Sequence, residues 1–157
     1  MANSGLQLKP LRVDQYRQVA EWEYGPQGDN VDWEKYAAEM NAPRWAHFGL
    51  YEADSFVGCV SFENIDRQMI AYHVVTARRR VNPHLLAQLL RKTAGDLFAI
   101  GYLALVARIP ADNTAAARLA IRCDMREWGH TRAEWVAEPL RYFILTKKRF
   151  ANGIVKA

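Results

Sequence analysis

The sequence is short of the features that mark stapled, metal-held and membrane-bound chains. It has two cysteines, Cys59 and Cys123, far apart and with no second Cys or His at a ligand spacing. Neither a disulfide framework nor a zinc site is signalled, and both thiols are expected to be buried apolar groups. No window approaches the ~20 apolar residues of a membrane span. The N-terminal stretch lacks a basic segment followed by an apolar one, so a soluble, cytoplasmic protein without a membrane partner is expected. Nine glycines and six prolines in 157 residues are no excess. No stretch combines low hydrophobicity with high net charge, which leaves only the ends, 1–5 and 152–157, as expected loose segments.

What is present suits one compact core. Half of the residues are hydrophobic and 24% are charged. The length is close to the commonest domain size, so a single domain over 1–157 is expected. The net charge of +4 is small. It is divided between Arg78-Arg79-Arg80 and Lys147-Lys148-Arg149, without interleaved aromatics or a helix-turn-helix pattern, so nucleic acid is not an expected partner.

Periodicity then orders the chain. Leu6, Leu8 and Leu11 around Pro10 predict a short first strand, and Asp14 an N-cap for a helix over Gln15 to Tyr24 with Tyr16, Val19, Ala20 and Glu23 on one face. A second helix starts at Asp32 and stops at Asn41-Ala-Pro43. From Arg44 the period becomes two, and the turn at Ala53-Asp54 predicts a hairpin ending near Phe62. Met69 to Val75 is apolar on both faces, as in a central strand. Asn82-Pro83 opens the clearest helix, which closes at Gly101. Leu103 to Ile109 is a buried strand, completing a right-handed βαβ unit with parallel strands. Asp112-Asn113 cap a helix to Arg122, and the remainder, with Trp128, Trp135 and the run Leu140 to Leu145, suits a closing antiparallel hairpin. That last run is expected to form an exposed apolar edge and to pair with another chain in a homo-oligomer.

The order of strand, two helices, hairpin, central strand, long helix, strand, short helix and hairpin resembles the GNAT (N-acetyltransferase-like) superfamily. The segment from Asn113 through Ala116, Leu119 and Arg122 to Met125 is similar to that family's Asn, helix and turn pattern. The family's usual Tyr, a donor to the departing thiolate, falls on Ala120, and its turn Gly on Asp124. The family's pyrophosphate loop, Gln/Arg-x-x-Gly-x-Gly/Ala, falls on Arg78 to Leu86, which has no glycine. The resemblance implies an α/β (α+β) domain with a mixed central sheet of about six to seven strands flanked by about four helices. It also implies acetyl-CoA as cofactor, contacted by Val74, Val75, Arg78, Arg79, Arg80, Asn82 and Asn113, with the arginines replacing the glycines at a helix N-terminus.

Acyl transfer from a thioester to an amine needs a base for the ammonium proton and a donor for the thiolate. His73 on the central strand and Glu63 at the end of the hairpin are the candidate bases. Tyr142 and Tyr72 are candidate replacements for the missing Tyr, and Trp22 and Trp33 candidates for touching an acceptor. The acceptor would be a small-molecule or peptide amine. The alternative is a non-catalytic protein of the same fold. Tyr72 to Thr76 and Ile109 to Met125 also resemble small GNAT-like proteins that short-tailed phages encode near their internal virion genes, which implies a virion partner.

Overall fold

A computed structural model describes residues 5–25, 31–77, 81–132 and 137–156. In chain order they form β1 (Leu6–Pro10), a 3-10 turn (Val13–Gln15), α1 (Tyr16–Tyr24), α2 (Trp33–Met40), β2 (Trp45–Glu52), β3 (Ser55–Asn64), β4 (Met69–Thr76), α3 (Pro83–Ala99), β5 (Ala104–Pro110), α4 (Thr114–Arg122), β6 (Arg126–His130), β7 (Leu140–Thr146) and α5 (Lys147–Lys156). The strands run in the order β1-β2-β3-β4-β5-β7-β6 in one mixed sheet. The chain divides into two compact units, Met1–Glu63 with His73–Leu85, and Asn64–Tyr72 with Leu86–Ala157.

In the first unit, β1 and β3 both pair antiparallel with β2, as the alternating pattern predicts. Ala53 turns the hairpin at φ 52°, a conformation that L-residues other than Gly, Asn and Asp enter at a cost. Val19 of α1, Cys59 of β3 and Val75 of β4 form a buried cluster flanked by Leu11, Trp22 and Phe56. Trp22, offered above as an acceptor contact, lies 4.9 Å from the Phe56 ring, in that packing. Asp32 caps α2 as expected, accepting from the Lys35 N–H at 3.1 Å. Asp14 is not the cap of α1. Its carboxylate is drawn 3.0 Å from Arg12 Nε, and the 3-10 turn hands the helix N-terminus to Gln15.

In the second unit, Met69–Ala71 of β4 lie parallel to Ala104–Val106 of β5. Strand β5 pairs with β7 over its whole length. Helix α3 buries Leu86, Ala87, Leu90, Ala94 and Phe98; of the face expected from its periodicity, Leu86, Leu90 and Ala94 are buried, and Leu89 and Leu97 only partly. Asn113 caps α4, accepting from the Ala116 N–H at 3.0 Å. Asp124 takes the position of the expected turn glycine at φ 64°, a backbone state aspartate tolerates better than most side chains.

One expectation is corrected here. The run Leu140 to Leu145 is not an exposed edge. It lies in β7, between β5 and β6, and Phe143 and Leu145 are fully buried, so the premise of an assembly through this strand falls away. The edge on that side is β6, whose Trp128 is 64% exposed. The expected sheet and flanking helices are present, with α5 following β7 directly and bringing the α-helices among the described residues to five. Phe150 of α5 packs against Phe98 of α3 at 5.4 Å, over Gly95, where a Cβ would come within 3.2 Å of the Phe150 ring.

Candidate functional site

A cavity of about 270 Å³ lies wholly within the first unit, walled by α1, α2, β2, β3 and β4. The central strand contributes His73 and Val75 to it. Strand alternation puts both side chains on one face of β4; Val75 is buried there and the His73 side chain is half exposed, so imidazole and solvent meet at this wall. Glu23 reaches across from α1, where it continues the face of Val19 and Ala20, and its Oε1 lies 3.1 Å from His73 Nε2. An imidazole paired with a carboxylate in this way has one nitrogen fixed in orientation and the other left for proton exchange.

Beside this pair, a second histidine has both ring nitrogens in hydrogen bonds, and burial favours its neutral form. His47 faces Ser61 in the β2–β3 ladder. Its Nε2–H donates to the Met40 carbonyl at 2.8 Å, and its Nδ1 accepts from the Ser61 hydroxyl at 2.6 Å. The Ser61 oxygen is then left to accept from the Cys59 thiol at 3.5 Å. Burial pushes the His47 pKa down, and the Met40 contact and His73 are smaller influences. With the folded pKa below the unfolded value of 6.5, the unfolded chain binds the extra proton, so stability is complete above that value and falls as the pH drops beneath it. Thermal melting between pH 7.5 and 5 should therefore show an acid-side decline that His47→Gln flattens, since the amide reproduces both hydrogen bonds without titrating. An unchanged slope in the variant would assign the acid sensitivity to other groups.

The cavity has further polar groups. Arg44 places its guanidinium between two carboxylates, Glu39 of α2 and Glu63 of β3, with Nε 3.3 Å from Glu63. Glu39 lines the cavity, whereas Glu63 does not and sits with its side chain 14% exposed. Tyr36 and Trp45 also line it, and the Tyr36 hydroxyl and Trp45 Nε1 are closed off from solvent without a hydrogen-bond partner among the described residues. Trp33, the other tryptophan expected near an acceptor, packs edge-on against Tyr36 at 5.9 Å and carries Arg17 over its ring at 4.7 Å.

Of the sequence-derived site residues, the structure thus brings His73 and Val75 to one cavity, with Val74 half-buried beside them and Glu63 turned to Arg44. Asn82 accepts from the N–H groups of His84 and Leu85 at 2.9 and 3.4 Å, as the cap of α3. Arg78, Arg79 and Arg80 lie outside the described residues, as does Trp135. Tyr142 and Asn113 belong to the second unit, where the Tyr142 ring packs 5.7 Å from Trp128. Tyr72 is buried there with its hydroxyl donating to Met125 Sδ at 3.3 Å, and burial pushes its pKa up, so it is held as a packed, protonated phenol. A larger, open cavity of about 980 Å³ in the same unit has Arg91, Lys92, Arg126, Lys148 and Arg149 around it with Asp124, and no imidazole. The described residues hold no cluster of metal ligands, and none of their helices is long and apolar enough to cross a membrane.

No protein-family model matches the sequence, and no curated protein matches it. Solved structures do. A mutant form of the spermidine N-acetyltransferase SpeG from Vibrio cholerae superposes with a TM-score of 0.75 at 14% identity, covering 96% of this chain and 98% of that one. The same enzyme in complex with CoA and spermine superposes with a TM-score of 0.72 at 14% identity, over 95% and 99% of the two chains. The fold is GNAT-like. At this identity the likeness is one of architecture, and it supports neither the phage-type resemblance nor a virion partner.

Sequence reading missed most of the GNAT-like chain's cavity. Glu23 was in view as the one charged member of an otherwise apolar helix face, a mark of a carboxylate facing something polar. His47 and Ser61 carried no such mark, because only the register of the β2–β3 ladder makes them partners.

Proposed function

We propose that this chain is an N-acetyltransferase that moves an acetyl group from acetyl-CoA to a small amine held in the cavity of the first unit. The observation that carries the reading is the His73–Glu23 pair on the central strand of a GNAT-like fold, at the wall of a cavity of small-molecule size. Acetyl-CoA supplies the activated thioester. The chain's own part is to bind and deprotonate the amine. His73, oriented through Nε2 by Glu23, takes the ammonium proton on Nδ1 directly or through a water. The amine nitrogen then forms its bond to the acetyl carbon as the carbon–sulfur bond breaks, and the thiolate leaves to be protonated. His47 takes no part in this transfer, because both of its nitrogens are committed. A single domain over 1–157 belongs to the same proposal, since β4 and α3 each begin in one unit and end in the other, and so does a cytoplasmic setting.

Coenzyme A retention falls, in this reading, on Val74, Val75 and the start of α3 at Asn82. The fit there is partial, because Asn82 already occupies two of the first-turn N–H groups that a pyrophosphate would otherwise use. The charge of Arg78, Arg79 and Arg80 then carries the anion. Calorimetric titration of coenzyme A at low salt should give measurable binding that weakens steeply as salt is raised. Replacing Arg79 and Arg80 with Ala should weaken it by about 1–3 kcal/mol, the scale of lost charge-assisted hydrogen bonds, with little change in melting temperature. Wild-type protein that ignores coenzyme A at low salt would overturn the acetyltransferase reading.

A further inference from the structure

We propose that the open cavity of the second unit is an anion site for a compact oligophosphate, separate from the acetyl-CoA and amine sites proposed above. The inference does not rest on the acetyltransferase reading.

The charge around this cavity is one-sided. Arg91 and Lys92 of α3, Arg126 of β6, and Lys148 and Arg149 of α5 line it, against a single carboxylate, Asp124. Five cations against one carboxylate leave an excess of four, and the whole chain has a net charge of +4. Of its 21 basic and 17 acidic residues, 16 of each remain elsewhere and cancel, so the formal excess of the protein is gathered at one concavity. Asp124 is 3.7 Å from Arg91, and both side chains face solvent, so that pair neutralises little. The other four cations have no ion pair with a described carboxylate. Arg149 is half-buried, and its charge has no counterpart among the described residues. Like charges held together repel, and a bound anion relieves that repulsion besides adding its own attraction.

The cavity lies away from the cofactor contact that the family resemblance implies in this unit. Thr146, at the end of β7, pairs with Ala104 at the start of β5, and α5 turns back from there to set Phe150 on Phe98 of α3. Asn113 follows Pro110, at the opposite end of β5.

Shape and lining decide which polyanion fits. The cations come from three elements and surround a concavity of about 980 Å³ instead of running in a stripe, which suits a compact ligand and not an extended strand. The lining offers one ring, Phe150, already packed on Phe98, and so no series of platforms for successive bases. Recognition therefore falls on phosphate oxygens, which Arg and Lys bind by charge-assisted hydrogen bonds. Each phosphate of a chain is charged at neutral pH, so a short chain matches the excess in little space.

Tripolyphosphate titrated calorimetrically into the full chain at low salt should bind, weaken steeply as salt is raised, and increase the melting temperature. Arg126→Glu combined with Lys148→Glu should weaken it by about tenfold or more. Lys35→Glu combined with Arg118→Glu changes the net charge equally, lies off the cavity, and should stay within about threefold. Should the first pair fail to fold, Arg126→Gln and Lys148→Gln, both at exposed side chains, should each cost about threefold. ATP distinguishes the sources of the phosphate. Binding no tighter than that of tripolyphosphate marks a site for the phosphate chain itself, binding about tenfold tighter marks a nucleotide, and both support the site. AMP, with one phosphate, should bind about tenfold more weakly than ATP. Tripolyphosphate ignored at millimolar concentration, AMP binding as tightly as ATP, equal losses in the two charge-reversed pairs, or a single-stranded oligonucleotide binding tighter than ATP and tripolyphosphate would overturn the inference. Coenzyme A, itself phosphorylated, separates this site from that of the cofactor. Its binding should survive the Arg126 and Lys148 reversal within about threefold, and its loss there would make the cavity the cofactor's own phosphate site and overturn the inference. Coenzyme A that never binds, beside tripolyphosphate that does, removes the acetyltransferase and leaves this site standing.

Discussion

Replacing His73 with Gln is expected to slow acetylation of the bound amine by about 10²- to 10³-fold near neutral pH, measured as thiol release. Free primary amines are almost wholly protonated there, with pKa values near those of lysine, about 10.4. Attack therefore waits on removal of a proton, and in the proposed function that proton goes to His73, paired with Glu23 at the cavity wall. Glutamine keeps a hydrogen bond to Glu23 and roughly the same volume, so the loss reports the missing proton acceptor and not a collapsed wall. Glu23→Gln should cost less, about tenfold, because it removes the group that orients the imidazole and leaves the imidazole in place. The pH profile distinguishes chemistry from architecture. As the pH rises, the amine deprotonates in solution and the His73→Gln enzyme should climb back toward the wild-type rate. A variant that is equally slow at pH 7 and pH 10 has lost positioning, and one that is as fast as wild type at pH 7 removes His73 from the mechanism.

Much of the fold was legible in the sequence because it rests on local signals that tertiary packing reinforces. The Asn82-Pro83 start of α3, the Asp32 cap of α2, the hairpin at Ala53 and the two-sided apolar run of β4 all appear where periodicity and capping place them. The errors share a cause. An apolar run such as Leu140 to Leu145 looks the same whether its neighbours are two strands or one, so its interior position became known only from the strand order. Asp14 satisfied the local rule for a cap, but Arg12, two residues away, offered its carboxylate a charge partner and the backbone entered a 3-10 turn first. Of the candidate cavity, the sequence marked His73, a polar residue in an apolar strand, and Val75 two residues on along the same face. Its partners come from α1, α2, β2 and β3, and no spacing rule links Glu23, Tyr36, Trp45 and Ser61, because their proximity is made by packing and not by sequence separation.

That same packing makes Gly58 the position where one methyl group should do the most damage to stability. Gly58 lies in β3 opposite the end of β4, and a Cβ built on it would stand 2.8 Å from the Val75 carbonyl oxygen, 3.2 Å from Leu50 Cδ2 and 3.4 Å from Thr76 Cα. A side chain such as Leu50 can rotate away, but the Val75 oxygen and Thr76 Cα are backbone. Relief thus requires β4 to move off β3, against the bond from the Ala77 N–H to the Val57 carbonyl at 2.9 Å. Forced overpacking of this kind costs about 1–3 kcal/mol, and the rigidity of the obstructing atoms puts Gly58→Ala toward the upper end. In a chain of this length that corresponds to a fall in melting temperature of roughly 5–10 °C. Gly129→Ala is the control, since nothing lies within 4 Å of a Cβ there, and it should melt within about 1 °C of wild type. Activity should respond as well, because the displaced residues are Val75 and Thr76, on the strand that carries His73. At a temperature where the Gly58→Ala protein is still folded, its turnover should already be reduced. Wild-type melting and turnover in this variant would mean that the end of β4 yields freely, and a strand that yields freely cannot hold an imidazole in register with Glu23.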